Sequence, residues 1–592
     1  MPNNLLRQPN FPALIALVWL VVALALLLQH WGRTAETLLD ADDAMRLVQM
    51  REWLAGQGWF DLHSARLQPP TGYDSHWSRL IDAGLGGMVL LFGLFDPSLA
   101  ERLTRASWPL LWLLPTIAAM AAIAWRIAGR EAATVALLLA VAGVPAYQQF
   151  TPGRIDHHNV QIALTLMIVA ATVWSGQKPR LAALAGGLSG LALAIGFESV
   201  PYLVVCGVML GLRHAFVPDD RHTLRDYGLA LATSTALAFF VGVGLDRWGI
   251  NRCDAIAVNN AAAAICAGLM LAIAGHLAHE ERLTRLLAVI GAGSAAVAVG
   301  VLFEPRCAGG PFAMVDPAVS SIWRDQLRDL QPLGAVFRVN PLTAAAMVAF
   351  PALAAIAALQ LAADRRHRSD FGFLAAALAF ATAAALTVVA VRGYSYAIWL
   401  GMPLVAAMML RFFAALKIER FVTKLLAGLM FTPLAISIGA ITIAHANGMS
   451  DTDSFAQPAS RPCFASASYQ GLARLPEGLV IADPGLGPYV LALTPHSVMA
   501  APYHRLGSGV VLAHGVLASA PDDARLILNA ARSAGSLGNT AYIVVCGPRP
   551  PAGLAEIARD RSLWAGLRGG KPPAWLEPVA GVEPFSVYRV RL

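Results

Sequence analysis

Apolar runs near the length a helix needs to cross a bilayer recur from Phe11 to Ala444, broken by short segments where charge returns. The pattern predicts helices over about 11–29, 99–125, 132–149, 160–174, 181–197, 201–211, 227–245, 255–277, 286–303, 342–363, 371–391, 398–410 and 425–444, about thirteen crossings. Ile81–Phe95 is apolar but short and glycine-rich, and it reads as an interfacial or re-entrant helix. Two polar stretches are long enough to be functional, a first outer loop over 30–98 and a large one over 304–340. From about Asn447 the pattern changes. Gly478–Ala482, Ser497–Ala500 and Tyr542–Cys546 read as strands, with a helix over Asp522–Ala534. The expectation is a polytopic α-helical membrane domain over 1–446, followed by an α/β domain over 447–592.

Composition agrees: 57% of the 592 residues are hydrophobic and 14% charged, where a soluble domain carries about a quarter charged. The formal charge of +7 is read loop by loop and does not point to nucleic acid. Arg126 and Arg130, Lys178 and Arg180, Arg213 to Arg225, Arg282 and Arg285, Arg365 to Arg368, and Arg411 to Lys424 fall on one face with the N-terminus. The positive-inside rule makes that face cytoplasmic. Taking Ile81–Phe95 as a crossing would break this alternation. The first span is long and lacks a small-residue cleavage site after it, so no cleaved signal peptide is expected. Cys206 and Cys266 lie in spans as plain core residues, whereas Cys253, Cys307, Cys463 and Cys546 fall on the outer side. Two pairs there would suit disulfides, with the connectivity left open.

The candidate chemistry lies at outer-side boundaries. Asp40, Asp42 and Asp43 follow the first span in LDADDAMR; Asp156 stands in GRIDHHN, beside His157 and His158; Asp329 stands in LRDLQPL. Carboxylates suit a hard cation such as Mg²⁺ or Mn²⁺, and the imidazoles would accept Mn²⁺ or Zn²⁺. The competing reading is unrelated loop carboxylates in water. Arg392, in VRGYSYAIW, is either a phosphate partner or an interfacial Arg beside Tyr394 and Tyr396. Glu198 in GFESVPY suits an interfacial cap, and His76 and Arg79 in SHWSRLID suit either an anionic ligand or a solvated loop. Gly485 and Gly487 form an isolated GxG, too weak for a phosphate cradle.

These residues, in this order, resemble the GT-C glycosyltransferases, and within them the catalytic subunit of oligosaccharyltransferases. The resemblance is carried by Asp40 to Arg46 with PPTG and HWSRLID downstream, by Asp156-His157-His158, by Gln326 to Asp329 followed by Gln331-Pro332, and by Arg392. It implies transfer of a sugar or glycan from a polyprenyl phosphate or diphosphate donor, at the periplasmic face of a bacterial inner membrane. It also implies Mg²⁺ or Mn²⁺ on Asp40 or Asp42, Asp156, His158 and Asp329, with Arg392 and Arg79 toward the donor phosphates. Asp40 would orient or deprotonate the acceptor, while Asp43, His157, Glu198 and Tyr396 would support the set. The family's Trp-Trp-Asp motif is absent; Ala482 to Ser497 stands there with Asp483 alone, so an Asn-x-Ser/Thr acceptor is not expected. The rival classes are a polytopic transporter or flippase, which wants charges near mid-membrane, and a non-enzymatic envelope-assembly protein.

Overall fold

The computed structural model describes residues 10–217, 221–276, 281–451, 461–547 and 560–592. Each predicted span overlaps a helix, yet not each helix is a crossing. Eight are long and apolar enough to span a membrane, or nine if the bent pair Val422–Met430 and Pro433–Ala446 is one span. The protein is therefore multi-pass, and the count of thirteen is not confirmed among the described residues. The 42-residue stretch Ala100–Val141 covers two predicted spans as two helical parts, separated at Ala128 and Gly129, where the backbone is not helical. Gly129 sits at φ 81°, a left-handed conformation open to glycine. Arg180–Ile195 and Val200–Phe216 have 16 and 17 residues, short for a full crossing. Arg221–Gly242 opens on Arg221, His222, Arg225 and Asp226, which keep its first turns polar. The 15-residue helix Arg79–Gly93 is not a candidate span either, as its short apolar run implied.

The ends of the helix bundle differ chemically. At one end Arg126 pairs with Asp370 at 2.8 Å and Arg411 with Asp364 at 2.7 Å. Arg213 joins them, lying over the Phe371 ring and donating to the Gly176 carbonyl. Loops expected to share a basic face thus meet. The opposite end holds the acids.

Helix α1 (Phe11–Glu36) packs on Ala100–Val141, where the Trp19 indole donates to the Leu110 carbonyl at 2.7 Å. The chain then turns extended at Thr37 and re-enters helix as α2 (Ala41–Leu54), capped by Asp40, whose carboxylate accepts from the Asp43 N–H at 2.9 Å. Asp42 and Asp43 occupy the first turn, where the helix dipole favours negative charge. Beyond α2 the first loop forms a small hairpin of β1 (His63–Ser64) and β2 (Tyr73–Asp74).

The C-terminal region folds as a five-stranded mixed sheet of β3 (Leu479–Ile481), β4 (Ser497–Val498), β5 (Ala541–Val545), β6 (Leu576–Val579) and β7 (Ser586–Val590). Its order is β4-β3-β5-β7-β6. β3 pairs parallel with β4 and β5, and β7 pairs antiparallel with β5 and β6. Strand β5 reads AYIVV and is buried throughout, as a central strand covered on both faces should be. The first three strands and the helix Pro521–Ser533 match the sequence pattern.

This sheet is welded to the first loop. Leu67 bridges Val498 at the β4 edge, and Arg66 donates to the carbonyls of Leu491, Thr494 and His496. Helix Gly487–Leu493 packs against α2, and Arg51 of α2 donates to the Ala492 carbonyl at 2.6 Å. The carboxylate-bearing helix is held between the span bundle and the sheet. Disulfides join Cys253 to Cys307 and Cys463 to Cys546, resolving the open connectivity, while Cys206 and Cys266 are free.

Candidate active site

Four segments far apart in sequence converge beside the N-terminus of α2. The loop before the helix His158–Ser175 brings Asp156 and His157. Glu198 arrives two residues before Val200–Phe216, and Arg392 immediately before Gly393–Ala415. Asp329 comes from a single helical turn in the large loop.

The three first-loop acids have different surroundings. Asp40 caps α2 and pairs with Arg154. Asp43 is fully buried; one oxygen accepts from the backbone N–H groups of Ile155 at 2.7 Å and Asp156 at 3.1 Å, and the other meets Arg154 at 3.1 Å. Asp42 has no side-chain hydrogen bond or ion pair among the described residues. Burial, then the charge of Asp156, pushes its carboxyl up to about 7. The same two causes raise Asp43 well above the carboxylate range.

Asp156 is buried and accepts from its neighbour's backbone, the His158 N–H, at 2.5 Å. Burial opposes its charge, but His158, Arg154 and His157 bring it down to about 2. Its second oxygen lies 3.4 Å from His158 Nε2. The other ring nitrogen, Nδ1, meets Glu198 at 2.9 Å. A carboxylate on one imidazole nitrogen sets the tautomer and turns the opposite nitrogen toward a metal.

Glu198 also pairs with Arg392 and lies 3.7 Å from His157 Nε2. Burial disfavours its charge, yet Arg392 and His158 hold it well below the usual range. Arg392 donates Nε to Asp329 at 2.7 Å, and its backbone N–H donates to the Asp329 carbonyl at 2.9 Å. Tyr396 stacks on Tyr202 with ring centroids 5.0 Å apart, and both buried hydroxyls lack a hydrogen-bond partner among the described residues.

The structure thus brings together Asp40, Asp42, Asp43, Asp156, His157, His158, Glu198, Asp329, Arg392 and Tyr396. Arg79 is elsewhere: it donates to Asp82, Gln57 and the Asp61 carbonyl, stapling the first loop. The side chain of Gln326 lies outside the described residues. Arg154 was not singled out from the sequence, although it precedes Asp156 by two positions; its role shows only when Asp40 and Asp43 fold back onto it. Asp483, at the position of the missing acceptor motif, accepts from the Gly485 N–H and starts a short helical turn after β3.

Two groups containing Asp156 have ligand atoms within 4.8 Å of one another: Asp156 with His157 and His158, and Asp40 with Asp43 and Asp156. Asp42 adds a carboxylate in the same region, its charge opposed by burial, Asp156 and Asp329 and favoured by His158 and Arg392. Carboxylate oxygens with a turned imidazole are a donor set that fits a divalent cation. A third group, His76, Asp254 and His504, shares no residue with these two. There Asp254 takes both guanidinium arms of Arg505, at 3.0 and 2.7 Å, and His504 Nε2 at 2.6 Å.

No family model matches the sequence, and no curated protein matches it significantly. Solved structures do. The fold is similar to the oligosaccharyltransferase AglB of Archaeoglobus fulgidus, in complex with an inhibitory peptide and a dolichol-phosphate. The TM-score there is 0.63 at 12% identity, over 89% of this chain and 69% of that one. The apo form of the A. fulgidus enzyme gives 0.58 at 13% identity, over 92% and 70%. Its complex with Zn and sulfate gives 0.55 at 14%, over 90% and 67%.

Proposed function

We propose that this protein is a membrane glycosyltransferase. It moves a sugar or glycan from a polyprenyl phosphate or diphosphate donor to an acceptor at the periplasmic face of a bacterial inner membrane. The observation that carries the reading is the convergence of Asp42, Asp156, His158, Glu198, Asp329 and Arg392 at one end of a GT-C-like bundle. The archaeal relatives, crystallised with dolichol-phosphate and with Zn and sulfate, supply precedent for an anionic lipid and a metal on this fold. Two disulfides on the acidic side support an oxidising compartment there.

Asp42, Asp156 and His158 would hold Mg²⁺ or Mn²⁺, with Asp329 within reach of the same region. When bound, the cation supplies charge neutralisation for a departing phosphate. Arg392, at the mouth of its span, binds the donor phosphate as a planar, permanently charged fork. Glu198 holds His158 in one tautomer and Arg392 in place, tying the metal and phosphate positions together. Asp42, on that cation, would orient the acceptor's nucleophile. With no paired tryptophans beside Asp483, the acceptor is a lipid, glycan or protein other than an Asn-x-Ser/Thr sequon.

The test is turnover of donor lipid in membranes, with and without EDTA, for wild type, Asp40→Ala, Asp42→Ala and Asp156→Ala. Loss on chelation and in Asp42→Ala and Asp156→Ala is expected. Full activity in Asp156→Ala, or in both first-loop variants, would overturn the reading. Mass spectrometry of envelope lipids and glycans from a deletion strain then names the acceptor.

A further inference from the structure

We propose that Arg154 is a positioning residue standing in for a second cation, so that the cluster offers one metal position instead of two. The inference rests on the metal-dependent reading above. Asp40, Asp43 and Asp156 present oxygens within 4.8 Å of one another. Three carboxylates at that spacing repel strongly unless a positive charge lies among them.

Arg154 supplies the charge from within the chain. One arm of its guanidinium reaches Asp40 and Asp43; the other reaches Asp156 at 3.3 Å and the Gln149 amide oxygen at 2.8 Å. Its side chain is 12% exposed. A guanidinium stays protonated and is a rigid fork, so one residue can bridge acids from two segments; an ammonium is a single point. The same stretch locks the geometry with its backbone, because Ile155 and Asp156 donate N–H to Asp43, and the Arg154 carbonyl accepts from Asn159 at 3.1 Å. Two of the three acids in the DADD stretch are thereby consumed in holding α2 against the Asp156 loop. Asp42 has no side-chain partner among the described residues, and it lies in electrostatic reach of Asp156 and His158, the position that the proposed function gives to an external cation.

The proposal makes an uncommon prediction: removing the arginine should create a binding site. The full-length protein in detergent is titrated with Mn²⁺, followed by electron paramagnetic resonance of the free ion, and thermal unfolding is recorded with and without Mn²⁺. Wild type is expected to bind about one ion per chain, and Arg154→Ala about two, because three carboxylates are uncovered. Without metal the Arg154→Ala variant unfolds below wild type, and Mn²⁺ raises its unfolding temperature by more than it raises that of wild type. Arg154→Lys keeps a charge but loses the fork; it binds about one ion, and its donor turnover falls at least about tenfold in kcat with less change in KM. The proposal is overturned if Arg154→Ala binds the wild-type number of ions, however it unfolds, or if it stays unfolded at saturating Mn²⁺. Wild type binding no Mn²⁺ while Arg154→Ala gains an ion would sink the metal-site reading and leave the role of Arg154 standing. Wild type binding one ion while Arg154→Ala gains none would do the reverse.

Discussion

Two clusters of histidine and aspartate stand on the acidic side of this protein, and they differ in how well their charges are satisfied. Around Asp254, the carboxylate accepts from Nε and one terminal nitrogen of Arg505 and meets the ring of His504, while the His76 ring lies tilted, its centroid 5.0 Å from that of His504. Around Asp156, the carboxylates outnumber the cations that touch them, and Asp42 touches none. The two look alike as ligand sets. A satisfied buried network holds pieces of a fold together, whereas an unsatisfied one stores a demand for a partner. Asp254 sits beside disulfide-bonded Cys253 and grips residues 504 and 505 of the C-terminal region, so its work is to pin. In the Asp42–Asp156 cluster the acids are left in excess, and the proposed function gives it the chemistry.

The widest separation between the clusters is expected from Asp42→Ala and Asp156→Ala. Donor turnover should fall by about 10³ or more while the folded protein is still recovered, checked by activity per folded molecule in size-exclusion fractions. Asp254→Ala should do the opposite, destabilising by about 3 kcal/mol through the uncompensated Arg505 with turnover per folded molecule retained, as read by thermal unfolding. A smaller effect is expected from Glu198→Gln, which keeps the shape but weakens the hold on His158. Metal affinity should drop by about 10–100-fold, measured by Mn²⁺ titration.

The gentlest test is pH. Burial opposes the charge of Asp254, but His504 and Arg505 bring its carboxyl below the ordinary range. A depressed folded-state pKa adds stability above the unfolded value and loses it as pH falls. The advantage of wild type over Asp254→Asn should be full at neutral pH and shrink below about pH 4, seen by unfolding at a series of pH values.

Much of this was legible in the sequence, because periodicity and charge act locally. The apolar runs became helices, the basic loops met at one end, and three predicted strands entered one sheet. Asp156, His158 and Arg392 were marked by position at helix mouths. The span count was not legible, because where a helix breaks or stops is not set by hydropathy alone: Ala100–Val141 breaks at Ala128 and Gly129, and Arg180–Ile195 and Val200–Phe216 stop short. Nor could the rank of the three first-loop acids be read: Asp40 seemed favoured by its spacing to Arg46. In the fold Arg46 instead pairs with Asp82 at 2.8 Å, and Asp40 turns to Arg154, 114 residues away. Such pairings depend on how loops fold back, which no local pattern records. Arg79 failed to join the site for the same reason.

The most direct measurement of the central claim is Mn²⁺ binding to purified wild type, Asp42→Ala, Asp156→Ala and Asp254→Asn, followed by electron paramagnetic resonance. The account predicts that binding survives in Asp254→Asn and is lost in Asp42→Ala and Asp156→Ala. Binding lost in Asp254→Asn and kept in Asp42→Ala and Asp156→Ala would contradict it.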